Sequence, residues 1–161
     1  MATTDLDRLL TAVIEGGVEF VVVGAAAAVL QGAPLGTLDL DIVHARTPEN
    51  VRRLKTVLDE LGAIYRHQHG RRLAAREEIL LGPGHNLFAT RLGPLDALGA
   101  LDGADFEVLI PLSRWIDYGG APVRVLGIET LIAMKRRAGR PKDLLAIPIL
   151  ERMLSMELPD E

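Results

Sequence analysis

Apolar residues at positions 6, 9, 10, 13 and 14 recur at the spacing of one helix face, which predicts an amphipathic helix ended by Gly16-Gly17. Thr4, with Asp7 three residues on, is its expected N-cap and acidic first turn. Val21, Val22 and Val23 form a β-branched run, read as a buried strand that stops at Gly24. Residues 25–30 have strong helix propensity and are halted by Gly32 and Pro34. A second apolar strand is expected over residues 38–43. Thr47 then caps a helix whose core face is Val51, Leu54, Val57, Leu58 and Leu61, with Gly62 at its end.

Beyond that helix the periodicity breaks into short pieces divided by polar or Gly-rich turns. Strands are expected at 63–65, 78–81 and 86–90, a further apolar piece at 92–98, and strands again at 107–110 and 123–126. Trp115 and Tyr118 are expected to cover the core edge. The last third reads as helix over 128–138, a break at Gly139-Arg140-Pro141, and helix over 143–156. Helices and strands mix without strict alternation, so the expected class is α+β: a mixed β-sheet flanked by helices, with a helical C-terminal segment. No internal repeat or low-complexity linker divides the 161 residues, and one domain is expected, its core over 18–127 and its C-terminal helices over 128–156.

Two aspartates interrupt the second apolar strand. Asp is disfavoured in strands and an unpaired buried carboxylate is costly, so Asp39 and Asp41 call for a reason. Residues two apart share a strand face, which sets this pair roughly 7 Å apart at the backbone. Such a pair on a rigid strand suits a hard divalent cation, Mg²⁺ or Mn²⁺; the plain alternative is a strand edge where both cap turns or pair with arginine. The adjacent turn at Gly24, Ala25 and Ala26 offers backbone N–H groups at a helix start, which suits phosphate.

Composition narrows the field. The chain has no cysteine, which excludes disulfides, thiolate chemistry and cysteine zinc sites. Hydrophobic residues reach 48%, too many for a disordered chain. No apolar run approaches a membrane span, and the acidic start lacks a signal-peptide pattern, so no membrane partner and a cytoplasmic setting are expected. Net charge is −4, which argues against a globally basic nucleic-acid binder, although basic clusters stand at 66–76 and 135–142. The missing second and third glycines after Gly24 reject a dinucleotide-binding turn. His67 and His69 lack a third ligand and are read, with Arg71 and Arg72, as a surface loop that could touch substrate.

A glycine-ended strand, a short helix and then Thr37-Leu38-Asp39-Leu40-Asp41-Ile42 together resemble the polymerase-beta-like nucleotidyltransferase superfamily. Gly93-Pro94-Leu95-Asp96-Ala97-Leu98 is similar to the segment carrying that superfamily's third carboxylate. Residues 131–144, reading LIAMKRRAGRPKDL, resemble a segment of small bacterial members related to AbiEii-type toxins of abortive-infection and toxin–antitoxin systems. The resemblance spans residues 18–150. It implies an Mg²⁺-dependent nucleotidyltransferase that moves NMP from an NTP to a hydroxyl, on an RNA end or a protein, and possible pairing with a cognate antitoxin.

By the same resemblance Asp39, Asp41 and Asp96 are the catalytic and metal-holding residues. Gly24, Ala25, Ala26, Thr37, Lys135 and Arg140 are the nucleotide-binding candidates, Lys135 as a point charge on the triphosphate. Arg140 with Asp143 is also read as an interhelix turn and N-cap, and Arg136, Arg137 and Lys142 as solvated. The sequence departs from the resemblance at Ala25, where relatives carry glycine or serine, at Leu35, where many carry arginine, and at Leu145-Ala146, where an acid is common. Those departures leave open a non-catalytic protein of the same fold that binds a nucleotide or a partner protein.

Overall fold

The computed structural model describes residues 4–156. Helix α1 (Leu6–Glu15) buries Leu9, Leu10 and Val13, the face its spacing predicts. Its cap is Asp5, not Thr4: the Asp5 carboxylate accepts the Arg8 N–H at 3.1 Å. The Thr4 hydroxyl instead donates to the Leu38 carbonyl and ties down the approach to the second strand. Strand β1 (Phe20–Val23) is buried along its length and turns sharply at Gly24 into α2 (Gly24–Leu30). Strand β2 (Leu40–His44) starts two residues later than its sequence suggests. The last rung between the two strands is Val23 to Asp41, so once β1 turns away at Gly24 residues 38 and 39 have no partner there. Leu38 is accordingly 77% exposed, and Asp39 lies at the mouth of the strand rather than in it.

Helix α3 (Pro48–Glu60) follows, with the Thr47 hydroxyl accepting the Asn50 N–H at 3.2 Å as expected. Next come β3 (Ile64–Tyr65), α4 (Glu77–Leu80), β4 (His85–Thr90) and β5 (Gly93–Leu98). The strand expected at 78–81 is the helical turn α4, because only Leu80 of its apolar run is buried while Ile79 and Leu81 face solvent. The strand expected at 107–110 is also helical. In α5 (Phe106–Leu109) the Asp105 carboxylate caps the Val108 N–H, Phe106 and Leu109 bury at i,i+3 spacing, and a 3-10 turn continues over Ile110–Leu112.

Strand β6 (Ser113–Tyr118) went unpredicted because it is an edge strand with little buried surface. Trp115 does not cover the core: it is 58% exposed, and the Arg124 guanidinium lies 4.3 Å over its ring. Tyr118 packs against the core and donates its hydroxyl to Asp7 at 2.5 Å. Strand β7 (Ala121–Leu126) leads into α6 (Ile128–Ala138), which Gly139 ends at φ 64°, and α7 (Pro141–Met156) follows.

The seven strands form one mixed sheet in the order β3-β4-β5-β2-β1-β7-β6. β2 runs parallel to β5, β1 runs parallel to β7, and the other neighbours are antiparallel. This α+β arrangement is the expected class. Helices α1 and α3 pack together, with α1 against β2 and β5, while α2 packs on β1, β2 and β7 and α6 packs against α2. The parallel register of β2 and β5 sets Asp41 directly opposite Asp96. No helix among the described residues is long and apolar enough to cross a membrane.

Candidate functional site

One rung crosses the sheet centre: Val23 pairs with Asp41, Asp41 with Asp96, and Asp96 with Leu87. Side chains on a rung share a face, so the Asp41 and Asp96 carboxylates meet on one side of the sheet. Asp39, two residues before Asp41, joins them, and one oxygen from each of the three lies within 4.8 Å of the others. The carboxylates drawn together by the sequence motifs therefore form one cluster, although they are far apart in the chain.

The cluster is electrostatically unfinished. Asp41 Oδ1 is buried without a hydrogen-bond partner. Burial, then a hydrogen bond and repulsion from Asp96, then repulsion from Asp39, push the Asp41 carboxyl up to about 7, with Arg66 acting in the opposite sense. The Arg66 Nη2 atom lies 2.8 Å from Asp96 Oδ1 as an ion pair out of line for a hydrogen bond, while Nη1 donates to the Phe88 carbonyl at 2.7 Å. One arginine beside three carboxylates leaves a negative pocket that a divalent cation would neutralise.

Gly24 forms the floor. Its φ of 65° is left-handed, and a Cβ built on it would stand 2.6 Å from Asp41 Oδ2, so the backbone of the turn comes as close to the carboxylate as glycine permits. Gly24 and Ala25 line the cleft beside the cluster, and the Ala26 side chain is fully buried beneath them. The first N–H groups of α2 have no partner within the helix. Thr37 lines the outer cleft and donates its hydroxyl to the Asp39 carbonyl at 2.8 Å, which fixes the chain just before the strand.

The opposite wall is the α6–α7 hairpin. Asp143, 2% exposed, receives Arg140 Nε at 2.6 Å and Nη2 at 3.2 Å, and Lys135 Nζ lies 3.6 Å from its Oδ1. The hydrogen bonds and charge of Arg140 hold the Asp143 carboxyl below the usual carboxylate range. Lys135 and Arg140, the two basic nucleotide-binding candidates, thus line the cleft, both anchored by Asp143. The cleft has an inner compartment of about 220 Å³ and an outer one of about 440 Å³; both are lined by Gly24, Asp41, Lys135, Arg140 and Asp143. Sequence reasoning missed Arg66 as a neighbour of Asp96. No local motif marks it, because the contact exists only once β3, β4 and β5 are in register.

No protein-family model matches the sequence, and no curated protein matches it. Solved structures do resemble the fold. The Thermotoga maritima protein TM1012, provisionally named a nucleotidyltransferase, superposes with a TM-score of 0.58 at 17% identity, covering 98% of each chain. The lincosamide antibiotic adenylyltransferase LnuA, solved with lincomycin bound, gives a TM-score of 0.64 at 13% identity over 95% of this chain and 99% of its own. ANT(2'')-Ia in complex with adenylyl-2''-tobramycin gives 0.56 at 16% identity over 91% and 86%. The likeness reaches the fold and not the AbiEii-type branch: this chain has the fold of the nucleotidyltransferases.

Proposed function

We propose that this chain, as one domain, is a divalent-metal-dependent nucleotidyltransferase that moves NMP from an NTP to a hydroxyl acceptor. The observation that carries the reading is the convergence of Asp39, Asp41 and Asp96 to within 4.8 Å beside a glycine turn at the mouth of a cleft. The donor set fits Mg²⁺ or Mn²⁺: three hard carboxylates, one with an orphaned buried oxygen and a raised proton affinity that a cation would relieve. Bound there, the metal would supply charge neutralisation for the triphosphate and for the oxygens attacking and leaving phosphorus.

The chain's own groups divide the remaining work. The Gly24-Ala25 turn presents backbone N–H groups toward phosphate, and Lys135 and Arg140 set positive charge on the facing wall. Asp96, on the side of the cluster away from α6 and α7, accepts the acceptor hydroxyl's proton. The hydroxyl oxygen then bonds to the α-phosphorus, the bond to the bridging oxygen breaks, and pyrophosphate leaves with its electron pair. The fold likeness to adenylyltransferases supports this reaction class. The segment at 131–144 supports the narrower reading of a cytoplasmic toxin with an RNA-end or protein acceptor and a cognate antitoxin.

The direct test incubates α-labelled NTPs and Mg²⁺ or Mn²⁺ with wild type and with Asp39→Asn, Asp41→Asn and Asp96→Asn. Metal-dependent NMP transfer or slow NTP cleavage is expected from wild type, reduced at least a hundredfold in each variant. Equal rates in wild type and Asp41→Asn would refute the site.

A further inference from the structure

The carboxylate cluster comes with a cation of its own. Arg66 Nη2 lies 2.8 Å from Asp96 Oδ1, and the two side chains are mostly covered, at 20% and 14% exposed. Asp96 Oδ1 is buried and accepts no hydrogen bond, so it meets the guanidinium rather than water. Arg66 has little freedom to leave. Its Nη1 donates to the Phe88 carbonyl at 2.7 Å, and its backbone N–H donates to the Leu87 carbonyl at 2.8 Å, so side chain and main chain are both tied to β4. The residue before it is held too, with the Tyr65 ring centroid 4.5 Å from that of Phe88.

This fixed charge bears on how many metal ions the cluster can hold. Three ionised carboxylates and one guanidinium leave a charge of −2, which one divalent ion neutralises. Paired catalytic ions stand about 3.5–4 Å apart and share their carboxylates. Here one oxygen of Asp96 is covered, so a second ion on this carboxylate would sit against the guanidinium, at like charge and in a poorly hydrated place. Arginine cannot escape by giving up its proton, as a lysine could. Lys135 and Arg140 pair with Asp143 on the far wall, so the charge beside Asp96 comes from Arg66.

Resting on the transferase reading above, we infer that Arg66 is a positioning residue that takes the place of a second cation on Asp96. The nucleotide-free cluster then holds one divalent ion instead of two, and any further ion enters with the triphosphate.

The test counts bound Mn²⁺ without nucleotide at pH 8, by calorimetry and electron paramagnetic resonance, on wild type, Arg66→Met and Arg66→Lys. Methionine keeps part of the stem and removes the charge, whereas lysine keeps the charge. Wild type and Arg66→Lys are expected to bind one Mn²⁺ and to show the hyperfine pattern of an isolated ion. Arg66→Met is expected to bind two, the first about tenfold tighter than wild type, with the broadened spectrum of a spin-coupled pair. A gain of binding cannot come from a damaged fold, and an arginine that merely braced the strands would weaken metal binding when removed. Two ions in wild type, no saturable ion in wild type, or one ion in Arg66→Met held no tighter than in wild type overturns the inference. A lysine variant that binds like the methionine variant overturns it as well. Each of these results leaves the transferase reading standing, provided that Mn²⁺ still binds wild type when a non-hydrolysable NTP is added. Absence of binding even then overturns the metal seat, and that reading with it.

Discussion

Asp41 concentrates the physics of the site in one side chain. Its folded proton affinity lies near 7 against 3.8 for the free group, so between those values the folded protein holds a proton that the unfolded chain has released. Metal-free stability is therefore expected to fall as pH rises through that window, by at most about 4 kcal/mol. Asp41→Asn removes this slope, and thermal melts from pH 4 to 8 without metal should show the variant more stable than wild type at the upper end. Gly24→Ala tests the same atoms from the other side. The left-handed φ costs an L residue about 1–2 kcal/mol, and the new Cβ would press on Asp41 Oδ2. The expected result is a lowered melting temperature with at least tenfold weaker Mn²⁺ binding, read by calorimetry. At this scale the sequence was informative about which carboxylates meet, since its motifs single out Asp39, Asp41 and Asp96. It was silent on Arg66, whose role depends on a neighbour thirty positions away.

Among the elements, the α6–α7 hairpin joins packing to the shape of the cleft, since Asp143 anchors Lys135 and Arg140 at its wall. Removing Arg140 leaves a buried carboxylate with one distant partner, a larger loss than deletion of an exposed ion pair. A double-mutant cycle on Arg140→Ala and Asp143→Ala, measured by denaturant unfolding, is expected to give a coupling of about 1–3 kcal/mol. A coupling near zero would show that Asp143 does not organise this wall. The helices α1, α3 and α6 were legible because each buries one stripe at helical spacing. Residues 78–81 and 107–110 were misread because a four-residue apolar run fits strand or helical turn equally, and tertiary burial decides. Edge strand β6 was illegible for the converse reason: with so little of it buried, no alternation is imposed on its sequence.

For the whole molecule, the sheet order determines what sequence could not. Asp96 meets Asp41 only because β5 inserts beside β2 in parallel register. Between about pH 4 and 8, Asp41 and His44 move the stability in opposite senses. His44 is fully buried, with Nε2 2.8 Å from the Leu80 carbonyl and Nδ1 without a partner, and burial holds its proton affinity below the ordinary value of 6.5. The unfolded chain binds that proton more readily, so stability is lost as pH falls below about 6.5. Asp41→Asn should therefore leave a profile that declines only toward acid, and His44→Gln one that keeps the decline toward neutral pH; melts of both variants across pH 4 to 8 check this.

The central claim is that the three carboxylates form a divalent-metal seat for a nucleotide, and Mn²⁺ calorimetry at pH 7 with a non-hydrolysable NTP tests it most directly. In buffers of different ionisation enthalpy, wild type is expected to show saturable binding with a fractional proton released from the carboxylate cluster, and Asp41→Asn to show neither. Absence of saturable binding by wild type, or undiminished binding by Asp41→Asn, would contradict the account.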